Sequence, residues 1–168
     1  MKRLLPCLAA LCLLLSGCSV QERVNADVFV LRLTAEKEIA AEPLYYEDGS
    51  CFCFVTFAGL RAALRLWETQ DGALAKIAVS APGGSDEAAF AALCARVLRV
   101  YAPNEPTQTL TELLNSQTSV FRYAQGRTHR LCAAADAAGR FFSVADDLLA
   151  PTEAPSLTLR QETLPATE

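Results

Sequence analysis

Cysteine and histidine are the side chains in this chain with most scope for chemistry. The 168 residues hold seven cysteines and one histidine. Cys51 and Cys53 stand two apart in a β-prone run, so their side chains share one side of a strand. Cys94 lies on the apolar stripe of a helical segment, and Cys132 sits in a later strand-like run. Three readings compete for Cys51, Cys53 and Cys94. They are small buried apolar residues, since free cysteine is among the most buried types. Or Cys53 and Cys94 form a disulfide, as an oxidising compartment permits. Or they form a thiolate metal site, which is the weakest reading, because Cys-x-Cys lacks the two-residue spacer of common zinc knuckles and no histidine is near. No metal or other cofactor is expected.

His129 falls in Arg127-Thr128-His129-Arg130, with Arg122 and Arg140 close by in sequence. Together these five form a candidate patch for an anionic partner, although alternating charge in a strand is more often its solvated face. A Ser-His-Asp arrangement would have to use His129, whose sequence neighbours are cations rather than carboxylates, and no nucleophile elbow is present. Asp146-Asp147 reads as a solvated loop. Pro82-Gly83-Gly84-Ser85 before a helix could suggest a phosphate loop, but Asp86 and Glu87 occupy the place an anion would take and the lysine of that motif is missing. No catalytic residue is assigned, and an enzyme is not expected.

The N-terminus carries a more specific signal. Lys2 and Arg3 precede an uncharged run from Leu4 to Leu15. This is the layout of an export signal, and the run is short of the roughly twenty residues that a membrane-spanning helix needs. It ends in Leu15-Ser16-Gly17-Cys18. That quartet resembles the lipobox of bacterial lipoproteins: an apolar residue, two small residues and a cysteine. The resemblance is confined to residues 1–18. It implies a thioether between Cys18 and a diacylglyceryl group, cleavage after Gly17, and acylation, as with palmitate, of the new amino group. Two or more acyl chains hold a protein stably on a bilayer. The expected location is therefore the cell membrane, lipid-anchored and facing away from the cytoplasm.

Loss of Lys2 and Arg3 with the leader takes the 15 basic residues to 13 against 19 acidic ones, about −6. A nucleic-acid binder is normally basic, so that partner class is excluded. The expected organisation is a signal peptide at 1–17, a lipidated N-terminus and short tether at 18–27, one domain at 28–149, and a proline-containing, disordered tail at 150–168.

Those side chains need a scaffold, and the patterning supplies an α+β one. Residues 28–33 (Val-Phe-Val-Leu-Arg-Leu) read as a first strand, followed by a helical turn around 35–41. Asp48-Gly49 marks a hairpin between 44–46 and 51–57. Turns at Ala58-Gly59 and Asp71-Gly72 extend it through strands at 62–68 and 73–80. Ser85 then stands where an N-cap should, and Phe90, Leu93, Cys94, Val97, Leu98 and Tyr101 trace one stripe of a long helix that Pro103 ends. Thr109 and Glu112 suggest a capping box for a short second helix. Strands at 118–124, 127–135 and 140–145 form a second meander that echoes the first, as an old duplication would. The expected fold is an antiparallel sheet of two β-meanders with one long and one short helix packed on one face.

The expected function is a non-catalytic binding or accessory module of the cell envelope, acting on an envelope protein or polymer. The alternatives are a small-ligand-binding lipoprotein and an inhibitor or immunity-like envelope protein.

Overall fold

The structure is a computed structural model that describes residues 24–35, 38–47, 49–115, 129–146 and 149, together with the backbone of 122–125. Cys18, the leader, Arg127 and the tail at 150–168 lie outside the described residues.

The first described element is a helix, α1 (Ala26–Thr34), where the β-rich composition of 28–33 predicts a strand. The correction has a clear cause. Ala26, Phe29 and Leu33 recur at helical spacing and are all buried, Asn25 accepts a hydrogen bond from Val28 N–H at 2.8 Å, and Asp27 and Arg32 suit the two dipole ends. Packing outweighs the β propensity of Val28 and Val30. The helical turn expected around 35–41 is likewise replaced, in part, by a strand, β1 (Ile39–Ala41). Nor are residues 24–27 wholly tether: Val24 packs against the core, and its carbonyl accepts from Leu74 N–H at 2.9 Å.

β2 (Tyr45–Glu47) and β1 both run along the same edge of β3 (Ser50–Phe57). Between them Glu42, Pro43 and Leu44 oppose only Cys53 and Phe54, a one-residue bulge that holds the proline at a sheet edge. The extra residue reverses the alternation, so Tyr45 pairs with Phe52 and turns to the opposite face from Ile39 and Ala41. The hairpin at Asp48-Gly49 is as expected, with Gly49 at φ +74° and Glu47 paired to Ser50. β4 (Leu60–Glu68) and β5 (Leu74–Pro82) complete the first meander.

Two helices follow. In α2 (Glu87–Tyr101) Phe90, Leu93, Cys94, Val97 and Leu98 are buried, as the stripe predicts. Its cap is Asp86, which accepts from Ala89 N–H at 2.8 Å, and not Ser85, whose hydroxyl donates to the Pro82 carbonyl. α3 (Thr107–Leu114) begins after Pro106 without a side-chain cap, so the Thr109 capping box does not form. Proline at this place serves instead, since its missing N–H is an orphan in any first turn.

β6 (Arg122–Gln125), β7 (His129–Ala135) and β8 (Gly139–Asp146) form the second meander. All pairings are antiparallel, and the strand order is β1-β3-β4-β5-β8-β7-β6, with β2 also on β3. The two meanders meet through their last strands, so that β3-β4-β5 and β8-β7-β6 mirror one another about the β5/β8 junction. The fold is α+β, with three helices among the described residues where the sequence predicts two. Two glycines permit the junction to close. A Cβ on Gly83 would lie 2.1 Å from the Ala137 carbonyl oxygen, and one on Gly139 would lie 2.7 Å from that of Ala81.

The core forms on a single face. Cys51, Cys53 and Val55 of β3, Leu64 and Leu66 of β4, Ile77 and Val79 of β5, Leu131 of β7, and Phe142 and Val144 of β8 alternate toward the helices and pack with Phe29, Leu93 and Val97. Among the described residues no helix is long and apolar enough to cross a membrane.

Candidate binding face

Strand alternation decides where each predicted site residue lies. His129 and Arg130 are neighbours in β7 and so point to opposite faces. Arg140 lies on the helix side with His129 but at the far end of the β7/β8 pair, where His129 pairs with Asp146 and Ala135 with Arg140. Arg122 is described by its backbone alone, and Arg127 lies outside the described residues. The patch of Arg122, Arg127, His129, Arg130 and Arg140 is therefore not assembled: its three described side chains are dispersed over two faces and two ends.

His129 itself is buried. Its Nδ1 lies 3.0 Å from Glu105 Oε1, in a pair whose side chains are only 11% and 2% exposed, and its ring meets Tyr101 edge-on at 5.4 Å. The carboxylate that sequence proximity lacks thus arrives from 24 residues away, on the loop between α2 and α3. Glu105 carried no sequence signal, because only the packing of that loop onto β7 reveals it. Tyr101 spans the same corner, donating its hydroxyl to the Leu74 carbonyl at 3.1 Å, and burial pushes its phenol well up. The arrangement clamps a loop to the sheet.

Cys51, Cys53, Cys94 and Cys132 are free, buried thiols. The disulfide between Cys53 and Cys94 is thus corrected to two thiols in opposing layers. Packed layers sit about 8–10 Å apart, whereas a disulfide needs Cα atoms within about 7 Å. Burial raises the thiols, to about 11 for Cys51 and about 12 for Cys53, and well above the ordinary value for Cys94. Thiolate is disfavoured there, and with it metal binding. Among the described residues no group of three or more His, Cys, Asp or Glu side chains could hold a metal ion. Cys132 differs in position: it points away from the helices beside Ser143, and Lys76 and Arg130 partly offset its burial.

A cavity of about 410 Å³ opens between the start of α2, the end of α3 and the β7/β8 hairpin. Phe90, Leu113, Leu114 and alanines line it, and Arg140, 3.2 Å from Glu87, stands at its polar side.

The sheet face away from the helices is different in kind. On β2 to β5 it presents Tyr45, Phe52, Phe54 and Trp67 interleaved with Arg61, Arg65 and Lys76. Tyr45 stacks on Phe52 at 5.4 Å, and Phe52 meets Phe54 edge-on at 6.4 Å. The Arg61 guanidinium lies 4.0 Å over the Phe54 ring, and the Lys76 ammonium lies 4.7 Å over Trp67. Both distances fall within cation–π range. Arg61 also pairs with Glu42 at 2.8 Å and Arg65 with Glu47 at 2.6 Å. On β5, β7 and β8 the same face carries Phe141 and a buried floor of smaller residues, Ala78, Ser143, Ala145 and Cys132, with Arg130 beside it. None of the described helices packs here.

No family model, curated protein or solved structure matches the chain.

Proposed function

We propose that this chain is an extracytoplasmic lipoprotein, held on the cell membrane through Cys18, and that its domain is a non-catalytic binding module whose working surface is the open face of the sheet. The anchoring part rests on the Leu15-Ser16-Gly17-Cys18 quartet behind a cationic, uncharged-then-small leader. The binding part rests on one observation. Five aromatic side chains, Tyr45, Phe52, Phe54, Trp67 and Phe141, and four cations share a face that no described helix covers, and such side chains ordinarily belong to cores or to interfaces.

The test has two arms. Cys18→Ala should abolish the acyl mass and release the protein from the membrane fraction; retention at an unchanged processed mass contradicts the anchor. Trp67→Ala combined with Phe54→Ala should abolish capture of an envelope partner while leaving the fold intact. Capture that survives this double change contradicts the assignment of the face.

A second reading, small-ligand binding, is favoured by the 410 Å³ cavity, which falls within the range of ligand sites. A small molecule that co-purifies and is lost in Ala91→Trp, which fills that cavity, would favour it.

A further inference from the structure

We infer that the open sheet face makes a second, non-covalent contact with the membrane, docking against the anionic head groups of the leaflet that holds the anchor. The inference rests on the reading above and names what the open face binds, the membrane surface itself, which also sets the orientation of the domain. It is carried by charge, by side-chain type and by where the chain enters the fold.

Charge is divided unevenly. Of the eight cationic side chains described, Arg61, Arg65, Lys76 and Arg130 lie on this face, and two carboxylates, Glu42 and Glu47, meet them there. The other four cations share the rest of the described surface and interior with ten carboxylates. Among the described side chains this face therefore carries more cations than carboxylates, and the remainder carries the reverse. An anionic surface attracts that side and repels the others, and the repelled groups include Asp27, Glu68 and Asp71 at the sheet end nearest the tether. Those acids disfavour an end-on approach and leave the face-on one.

The side chains suit a bilayer surface better than a soluble polymer. Trp and Tyr favour the head-group level, where an apolar ring and a polar edge are both accommodated, and Arg and Lys stems lie along apolar surface with the charge outward. Tyr45, Phe52 and Trp67 alternate with Arg65 and Lys76 in this manner.

The entry point brings the face within reach. Ala26 N–H donates to Glu68 at 2.7 Å, and Leu74 N–H donates to the Val24 carbonyl, so the N-terminus joins the sheet at the ends of β4 and β5. Trp67 adjoins Glu68, and Lys76 lies two residues beyond Leu74. From Cys18 to Val24 the chain spans at most about 20 Å. An acylated Cys18 thus holds Trp67 and Lys76 near the leaflet.

Trp67 is the only tryptophan in the chain, which makes it a native reporter. The lipidated protein is reconstituted into vesicles of phosphatidylglycerol and phosphatidylcholine, or of phosphatidylcholine alone, each with brominated acyl chains. Strong bromine quenching of Trp67 in the anionic vesicles, weak quenching in the neutral ones, and loss of the difference at high salt are expected. Equal quenching in both, or none in either, overturns the inference. The mature chain 18–168 with Cys18→Ser, which carries neither leader nor lipid, gives partition directly. Each cation removed should weaken partition into anionic vesicles about 5-fold, and Lys76→Ala with Arg130→Ala roughly 30-fold. Arg96→Ala, on the helix side, should have no effect. Equal losses from both changes overturn the assignment to this face. If polyphosphate shifts Trp67 emission while anionic vesicles do not, the partner is a soluble polyanion and the lipid contact is refuted. A native protein without acyl mass refutes the anchor alone, because the Cys18→Ser partition still reads the face.

Discussion

The two faces of this sheet are built from the same strands and obey different rules. Toward the helices, Cys53, Leu64, Val79 and Phe142 are fully buried and fill space without polar partners. Away from them, the large side chains are only partly buried and each is held by a neighbour: Phe54 under Arg61, Trp67 under Lys76, Phe52 against Tyr45. The first face is held by water exclusion and close packing. The second is held by contacts in high dielectric, each worth little, which can be exchanged for contacts with a partner. That difference is why the open face, and not the core, is a credible working surface.

The largest effect that should separate the faces comes from deleting one ring on each. Phe142→Ala removes a ring with no exposed surface and leaves a cavity, which should cost about 4 kcal/mol. Phe54→Ala, on the open face, loses a partly buried ring and its cation contact and should cost about 1 kcal/mol. Urea unfolding of the two variants measures the gap, and comparable losses would show that something covers the open face.

A smaller effect tests the buried His129–Glu105 clamp on the helix side. His129→Ala leaves the Glu105 carboxylate buried with one partner fewer, which should cost about 3 kcal/mol. Replacing His129 and Glu105 together with Leu and Met should recover part of that loss, because no stranded charge remains. If the single and double changes cost the same, the pair does not act as a unit.

How far the two faces could be read from the sequence follows from the range of the signals involved. The hairpin at Asp48-Gly49, the meander turns and the stripe of α2 are local patterns of turn chemistry and periodicity, and the structure has them. α1 is ambiguous in the sequence because Val28-Phe29-Val30 favours a strand, while Asn25 as cap and the spacing of Ala26, Phe29 and Leu33 favour a helix. Only packing against α2, with Phe29 edge-on to Tyr101 at 6.4 Å, decides between them. The arginine patch failed for a related reason. Closeness in sequence was read as closeness in space, although alternation places His129 and Arg130 on opposite faces. The cations that do share a face, Arg61, Arg65, Lys76 and Arg130, come from three strands of two meanders. Their union depends on β5 pairing with β8, a non-local contact without a sequence marker. Glu105 was hidden in the same way.

The smallest effect concerns the thiols of the covered face and is read from pH. In the folded protein burial raises Cys53 from 9.0 to about 12 and lifts Cys94 well above that ordinary value. Below pH 9 both thiols are protonated whether the chain is folded or not, so their contribution to stability is fully present. Above pH 9 the unfolded chain releases those protons while the native state keeps them, and stability falls as pH rises, by about 1 kcal/mol per pH unit for each thiol. Cys53→Ala and Cys94→Ala should each flatten the decline measured by urea unfolding between pH 9 and 10.5, after a constant offset for lost packing. Tyr46, on the rim, also has a raised phenol, to about 12, through its hydrogen bond to Asp27. Its ring is 61% exposed, so Tyr46→Phe should change that slope far less than either cysteine does. A slope that follows Tyr46 and ignores Cys53 and Cys94 would place the alkaline sensitivity on the exposed rim, and would mean that the covered face admits water where the packing excludes it.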